Sequence, residues 1–354
     1  MANEVTACPI PSLPHPIERL NQDRPTALDR LLVKRSTHFG LAVASFVGGA
    51  FVGLPPEVAA LLSFVVSHVA LIWALLLPRQ HMARGHYRRT LFVAEQFEKR
   101  SCLSSAAASW RFLRSGCHLL LGDARTAQQI MASVPRERLS SRARWWMDLH
   151  RAILECQVMK PEAALAILDE LEKPRMPQDM RPSYHMIRAS ALSLVEKFPE
   201  SLAEIDQVEA LGPPPLFAAS CLGLRAFVKI EEQSDPGGAL LLSRQALARI
   251  GDWYTGRPGL LLNHARIVLD ATGNVQETLS ILGTVIGHEA ELGARGQAEL
   301  HFLLARCYLA AGMVTTARIQ LSNADDIPCP PRLKARIEEL SLKLDGIRAL
   351  PELA

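Results

Sequence analysis

The sequence predicts an all-α protein in which a membrane-spanning helix hairpin precedes an array of helix pairs. Three observations support this fold class. Leu and Ala are abundant, and aromatic residues make up only 6% of the 354 residues, a composition that favours helices over strands. A forty-residue stretch contains a single charged residue, which is typical of membrane segments. Beyond residue 100, helix-length segments end repeatedly in Gly or Pro.

The nearly uncharged stretch, residues 39–78, contains two apolar segments. Residues 39–54 would span about 24 Å as a helix and residues 58–77 about 30 Å, compared with a hydrocarbon core of roughly 30 Å. Neither segment has the polar face of a soluble amphipathic helix. We therefore expect a transmembrane hairpin over residues 38–78. A buried soluble helix pair, a signal peptide and a re-entrant first segment are the alternatives.

The sequence GLPPEV, residues 53–58, separates the two segments and predicts the turn of the hairpin. Pro55 and Pro56 cannot both lie inside a continuous helix, because each removes an amide donor and clashes with the preceding turn. Both suit the first turn of a new helix, where Glu57 would face the positive end of the helix dipole. Pro55, Pro56 and Glu57 are therefore the predicted turn residues.

Positive charge after the apolar stretch predicts the orientation of the hairpin. Residues 79–114 carry eight basic and two acidic residues, whereas the turn has no Lys or Arg. By the positive-inside rule, we expect an integral protein of the bacterial inner membrane with both termini in the cytoplasm. The basic flank would contact lipid headgroups through Arg79, Arg84, Arg88 and Arg89.

Small residues at helical spacing in the first segment predict close helix packing. They are Gly40, Ala44 and Gly48 on one face, and Ser45, Gly49 and Gly53 on its neighbour. Such spacing lets helix backbones approach each other in lipid. These faces would pack against the second helix of the same hairpin, or against another chain in a homo-oligomer.

Helix pairs with a common pattern of small residues follow. Three sets of residues share separations of 12 and 7 positions. The sets are Ala152, Ala164 and Leu171; Ala191, Ala203 and Ala210; and Ala305, Ala317 and Ala324. Small side chains at these positions let the two helices of a pair pack closely. The intervals between sets are multiples of about 38 residues, which predicts about six helix pairs over residues 103–328.

The last pair, ELHFLLARCYLAAGMVTTARIQLSNADDIP, resembles the tetratricopeptide repeat (TPR). Ala305 and Tyr308 lie on its first helix, Gly312 marks the turn, and Ala317 lies on the second helix, while His301 replaces the tryptophan of the family. The resemblance implies a right-handed α-solenoid. A generic helical solenoid is the alternative.

The resemblance also implies that the first helices of successive pairs line a groove for a segment of another protein. Nine side chains are expected to face it. They are Trp146, Leu149, Ile153, His185, Arg188, Leu192, Phe302, Arg306 and Leu309. Packing between repeats is the alternative role for each of them.

The predicted organisation has five segments. They are a partly disordered cytoplasmic tail (1–37), the transmembrane hairpin (38–78), a basic juxtamembrane helix (79–102), the solenoid (103–328), and a capping helix with a tail (329–354). In the last segment, four residues share one apolar face, as the cap of an open-ended stack requires. These are Leu333, Ile337, Leu340 and Leu344.

No sequence motif for catalysis, for a cofactor or for a metal is present, so we expect no enzyme and no cofactor. Seven scattered cysteines favour a reducing compartment. Basic charge gathers beside the apolar stretch, which indicates lipid contact and no nucleic-acid partner. The predicted role is a membrane-anchored scaffold or assembly factor that recruits proteins. The alternatives are a structural subunit of a larger membrane complex and, less favoured, an enzyme or enzyme accessory.

Overall fold

The protein is described by a computed structural model that covers most residues from His86 to Arg348. The described residues are Pro55 and the ranges 86–100, 104–171, 176–213, 215–250 and 256–348. Within them every regular element is a helix, so this part of the chain is all-α, as predicted. None of these helices is long and apolar enough to cross a bilayer.

The predicted transmembrane hairpin lies outside the described residues except for Pro55, which is exposed and belongs to no helix. Ten further residues of the predicted packing faces, turn and basic flank also lie outside. They are Gly40, Ala44, Ser45, Gly48, Gly49, Gly53, Pro56, Glu57, Arg79 and Arg84.

Fourteen α-helices follow one another in the described ranges. They are α1 (Tyr87–Arg100), α2 (Ser104–Leu120), α3 (Ala124–Ala132), α4 (Ser141–Gln157), α5 (Pro161–Asp169), α6 (Arg181–Leu194), α7 (Phe198–Ala210), α8 (Pro215–Glu231), α9 (Pro236–Ala248), α10 (Arg257–Thr272), α11 (Val275–Val285), α12 (Gly293–Ala310), α13 (Val314–Asp325) and α14 (Pro331–Arg348). Helices that follow one another pack together, which is consistent with a helical-repeat protein.

The helices belong to two compact units. The N-terminal unit ends at Ala143 and contains α1, α2 and α3, and the C-terminal unit begins at Arg144 within α4 and contains the helices that follow. In the N-terminal unit, α2 contacts both α1 and α3. Phe97 of α1 stacks on Trp110 of α2, with ring centroids 5.0 Å apart.

Six turns with a shared backbone geometry join α2 to α3, α4 to α5, α6 to α7, α8 to α9, α10 to α11 and α12 to α13. Each turn contains one residue in the left-handed conformation. These residues are Gly122, Met159, Glu196, Gln233, Gly273 and Gly312, at successive intervals of 37, 37, 37, 40 and 39. Their regular spacing defines six helix hairpins, the number predicted from the sequence.

Hydrogen bonds at these turns satisfy carbonyl groups at the ends of the first helices. In five turns the amide after the left-handed residue donates to the carbonyl five positions earlier, as Met313 does to Tyr308 at 2.8 Å. In the sixth turn the amide of Gly273 donates to Leu269 at 3.0 Å. Each first helix therefore ends abruptly, and the chain reverses within a few residues.

A pair of small residues lies where the two helices of each hairpin cross. In four hairpins one member precedes the left-handed residue by seven positions and the other follows it by five. These pairs are Ser115 and Ala127, Ala152 and Ala164, Ala189 and Ser201, and Ala305 and Ala317, all with 0% exposure. In the other two hairpins the pairs are Ala226 with Ala239 and Ala265 with Thr278. One member of each pair, Ala239 and Ala265, is displaced by one residue, and all four residues are fully buried.

One of the three predicted sets is wrong by two positions. Ala203 and Ala210 are exposed, whereas the crossing is formed by Ala189 and Ser201. Two positions along a helix turn a side chain by about 200°, onto the opposite face. Both alternatives have members 12 residues apart, so spacing alone could not separate them. The sets that begin at Ala152 and Ala305 are confirmed by their burial.

Polar side chains mark the start of three second helices. The carboxylate of Asp123 accepts a hydrogen bond from the amide of Thr126 at 3.0 Å. Asp235 and Asn274 cap α9 and α11 in the same way. These caps satisfy amides that have no partner inside the helix. At the other end of the chain, the four predicted apolar residues of α14 are all buried against α12 and α13.

We predict that a larger side chain at the crossing position Ala189 destabilises the fold. Ala189→Leu should lower the free energy of unfolding by about 1–3 kcal/mol, because it overpacks a fully buried contact. The matched control is Ala203→Leu, which adds the same atoms to an exposed face and should change stability by less than about 0.5 kcal/mol. Urea unfolding followed by circular dichroism measures both. Equal losses would contradict the assigned crossing.

We also predict that the turn residue between α8 and α9 is strained. Gln233 has a φ of 53°, a region disfavoured for residues with a Cβ. Gln233→Gly should therefore raise the free energy of unfolding by about 0.5–1 kcal/mol. The reverse change, Gly312→Ala, should lower it by about 1 kcal/mol through the backbone alone, since a Cβ there meets nothing within 4 Å. Urea unfolding tests both, and a destabilised Gln233→Gly would refute the strain.

Candidate functional site

The nine side chains predicted to face a groove occupy different environments. Leu149, Leu192 and Phe302 are buried, with at most 5% exposure. Ile153 and Leu309 are partly buried against neighbouring core residues. Trp146, the remaining apolar member, is exposed. Most of the apolar members therefore pack within the fold.

The three polar members of this set contact carboxylates. Nδ1 of His185 lies 2.6 Å from a carboxylate oxygen of Glu204. Arg188 forms an ion pair with the same carboxylate and donates a hydrogen bond to Asp169. The third member, Arg306 on α12, donates a hydrogen bond from its guanidinium to Asp270 at 2.6 Å. This contact joins Arg306 to a larger cluster of charges.

Two of the residues predicted to contact lipid headgroups are described. Arg88 and Arg89 lie in the first turn of α1, where Arg88 is exposed and Arg89 is partly exposed. Both belong to the N-terminal unit.

A buried cluster of charges, which we call the arginine cluster, lies in the C-terminal unit and centres on Arg266 of α10. One guanidinium nitrogen donates to Glu231 of α8 at 2.7 Å and to Glu299 of α12 at 3.0 Å. Asp270, one turn along α10, is 3.5 Å away. The side chains of Arg266 and Glu299 are each only 4% exposed. The cluster therefore connects three first helices, α8, α10 and α12.

Opposite charges keep the centre of the arginine cluster ionised. Burial alone would lower the pKa of Arg266, but the carboxylates of Glu299, Glu231 and Asp270 outweigh this effect and raise the pKa. Burial would raise the pKa of Glu231, but Arg266 lowers it below its ordinary value. At neutral pH Arg266 and Glu231 are therefore charged, and each depends on its partners.

The C-terminal helix α14 contributes two more arginines to the cluster. Arg332 pairs with Glu196 at 3.0 Å and donates to the backbone carbonyl of Glu231 at 3.2 Å. Arg336 lies 3.6 Å from Asp270. The guanidinium of Arg332 also lies 5.2 Å from the ring of Phe198, within cation–π range. Helix α14 is thus held by charges as well as by its apolar face.

Sequence reasoning missed most of this cluster, although Arg266 carried a signal. Between Arg257 and Asp270 it is the only charged residue in an otherwise largely apolar run. It also occupies the position, seven residues before Gly273, that holds Ala or Ser in the other hairpins. A charge at a position reserved for small buried residues indicates a buried ion pair.

A cavity of about 370 Å³ lies beside the arginine cluster, also within the C-terminal unit. The first helices of five hairpins line it, from the end of α4 to the start of α12. Its lining combines small or polar residues with large apolar ones. The former include Ser190, Ser193, Ser220, Gly259, Asn263 and Gly296, and the latter are Met186, Leu194, Leu224, Leu260, Leu262 and Leu292. Arg295 and Glu299 form the border with the arginine cluster. None of the nine predicted groove residues lines this cavity.

The one thiol at the cavity has no nucleophilic character. Burial raises the pKa of Cys156 to about 12, and Glu155 adds to the effect, so the group is protonated at neutral pH. Among the described residues, no three His, Cys, Asp or Glu side chains converge as a metal site requires.

No protein-family model, no curated protein and no solved structure matches this chain.

We predict that the arginine cluster depends on its central charge. Arg266→Met leaves Glu231 and Glu299 buried without their main partner and should cost about 3–5 kcal/mol. The control, Lys343→Met, removes an exposed pair with Glu339 on α14 and should cost less than about 1 kcal/mol. Thermal and urea unfolding measure the difference. Similar losses for the two variants would show that Glu231 and Glu299 do not depend on the charge of Arg266.

Proposed function

We propose that this chain is a membrane-anchored scaffold or assembly factor that recruits partner proteins through a tetratricopeptide-like solenoid. The observation that carries the proposal is the recurrence of one hairpin geometry. Six turns share a left-handed residue, and small residues are buried at the crossing in each hairpin. Arrays of such hairpins present extended surfaces, which suits them to binding other proteins.

The lining of the cavity supports a binding role for the first helices. Residues from five successive first helices meet there, as expected of the inner face of a helical array. The serine, asparagine and arginine side chains at the cavity offer hydrogen-bonding groups to a partner. The right-handed sense of the array, its peptide groove and its membership of the tetratricopeptide family are parts of this proposal.

The membrane anchor is proposed from sequence. Residues 39–78 contain one charged residue and the flank 79–114 is strongly basic. On this basis the chain is an integral protein of the bacterial inner membrane, with both termini and the helix array in the cytoplasm. Small residues of the first segment would allow homo-oligomers.

The alternative is a structural subunit of a larger membrane complex. The arginine cluster favours it, because arginines of α14 already occupy part of the face formed by the first helices. Because α14 fills part of this face, less of it is open to a peptide. This favours a structural role in which the helix array keeps a fixed geometry within a larger complex.

Replacement of the anchor separates the two roles. We predict that full-length protein carrying an unrelated transmembrane hairpin in place of residues 39–78 recruits the same neighbours as the unmodified chain. Proximity labelling in native membranes, followed by mass spectrometry, measures this. Loss of all neighbours despite correct insertion would favour the structural subunit.

A matched control separates recruitment from trapping at the membrane. The same unrelated hairpin without residues 103–354 should label none of the specific neighbours. Labelling of the same proteins by this control would refute recruitment through the helix array.

A further inference from the structure

Arg295, in the first turn of α12, is a partly buried cation with unused hydrogen-bonding capacity among the described residues. Its guanidinium lies 4.1 Å from the ring centroid of Phe227 and 3.6 Å from a carboxylate oxygen of Glu299. Neither contact is a hydrogen bond at these distances. Glu299 is moreover shared with Arg266, which it binds at 3.0 Å. Among the described residues, no acceptor receives a hydrogen bond from the Arg295 guanidinium.

The described charges around Arg295 are unbalanced. In the described part of the chain the arginine cluster contains five arginines and four carboxylates, so one positive charge is in excess among them. The arginines are Arg266, Arg295, Arg306, Arg332 and Arg336, and the carboxylates are Glu196, Glu231, Asp270 and Glu299. Burial lowers the pKa of Arg295. The negative charge of Glu299 partly opposes this effect, and the positive charge of Arg266 adds to it. An added anion would relieve the imbalance.

The exposed part of Arg295 borders the cavity of about 370 Å³. Its side chain is 22% exposed, and the start of α12 beside it has no side-chain cap. Gly293 and Gly296 of this first turn also line the cavity. The first amides of a helix have no partner inside the helix and carry positive partial charge, which favours anions.

The start of α10 adds to this arrangement. Its cap, Gly256, provides no side-chain hydrogen bond, and Gly256 and Gly259 line the same cavity. Glycines leave the backbone open to a ligand. The cavity has room for on the order of a dozen water molecules, and its volume lies within the range of small-ligand pockets, roughly 300–1,000 Å³.

We propose that this cavity binds a small molecule that carries one carboxylate or phosphate group, with Arg295 as the residue that receives the oxyanion. Arginine holds these planar or multidentate anions through paired N–H donors. The serine hydroxyls and Asn263 would bond to polar groups on the remainder of the ligand. This site is separate from the proposed recruitment of proteins and does not depend on it.

Titration of the full-length chain with small anions tests the site. The probes are inorganic phosphate and acetate, each compared with chloride at equal ionic strength, and the readouts are isothermal calorimetry and the thermal unfolding midpoint. We expect saturable binding of at least one probe with a rise in the midpoint. Arg295→Met should weaken binding by at least about tenfold, and Arg295→Lys by less.

Two further variants keep the test decisive. Gly259→Leu should fill part of the cavity and weaken binding while Arg295 stays in place, because a Cβ at Gly259 meets nothing within 4 Å. Arg138→Met removes an exposed arginine of the N-terminal unit and should leave binding unchanged. Circular dichroism in chloride verifies that each variant is folded. If Arg295→Met does not fold, the comparison of Arg295→Lys and Gly259→Leu with the unmodified chain decides.

A final comparison identifies the source of the anion. A tripeptide with a free carboxyl terminus is titrated beside its amidated form. Binding of the free peptide without binding of phosphate or acetate would overturn the small-molecule site in favour of a protein terminus. Absence of saturable binding by all probes, or equal binding by Arg295→Met and the unmodified chain, would also overturn it.

Discussion

The close crossing of two helices within each hairpin is the constraint on which the rest of the structure depends. At Ala152 and Ala164, and at the equivalent pairs, neither side chain has any exposed surface. A larger residue would separate the two backbones and would change the angle at which the next hairpin packs. The left-handed turn residue then reverses the chain in the shortest distance. Together these two features place successive first helices side by side, and their shared face forms the cavity.

Much of this frame could be predicted, because its signals are local and periodic. The set of small residues that begins at Ala305 has the same separations of 12 and 7 residues as the set that begins at Ala152. The spacing of Leu333 and Leu344 places them on one face of a helix. The set that begins at Ala191 was wrong because a serine, Ser201, takes the place of an alanine. Serine is as small as the contact requires, and its hydroxyl donates to the carbonyl of Ala189 at 2.8 Å. A pattern of alanines cannot show such a replacement. The transmembrane hairpin stays a prediction.

The arginine cluster could not be predicted, because its members are far apart in sequence. Arg266 bonds to residues 35 and 33 positions away, and Arg332 to Glu196, 136 positions away. No periodicity connects such residues; only the packing of hairpins brings them together. None of the nine predicted groove residues lines the cavity, and they stay a prediction. Their assignment rested on a groove known only by resemblance, whereas half of the residues that line the cavity are small and carry no individual signal.

The C-terminal helix combines apolar packing with charged contacts to the arginine cluster. Its leucines cover the apolar edge of the last hairpin, while Arg332 and Arg336 enter the arginine cluster. Buried ion pairs contribute little net stability, because desolvation offsets their attraction, but a pair deprived of one member is costly. The cluster therefore acts mainly to fix the relative positions of α8, α10, α12 and α14. A fixed geometry is what the proposed anion site requires, because Arg295 can then stay at the border of the cavity without a full set of acceptors among the described residues.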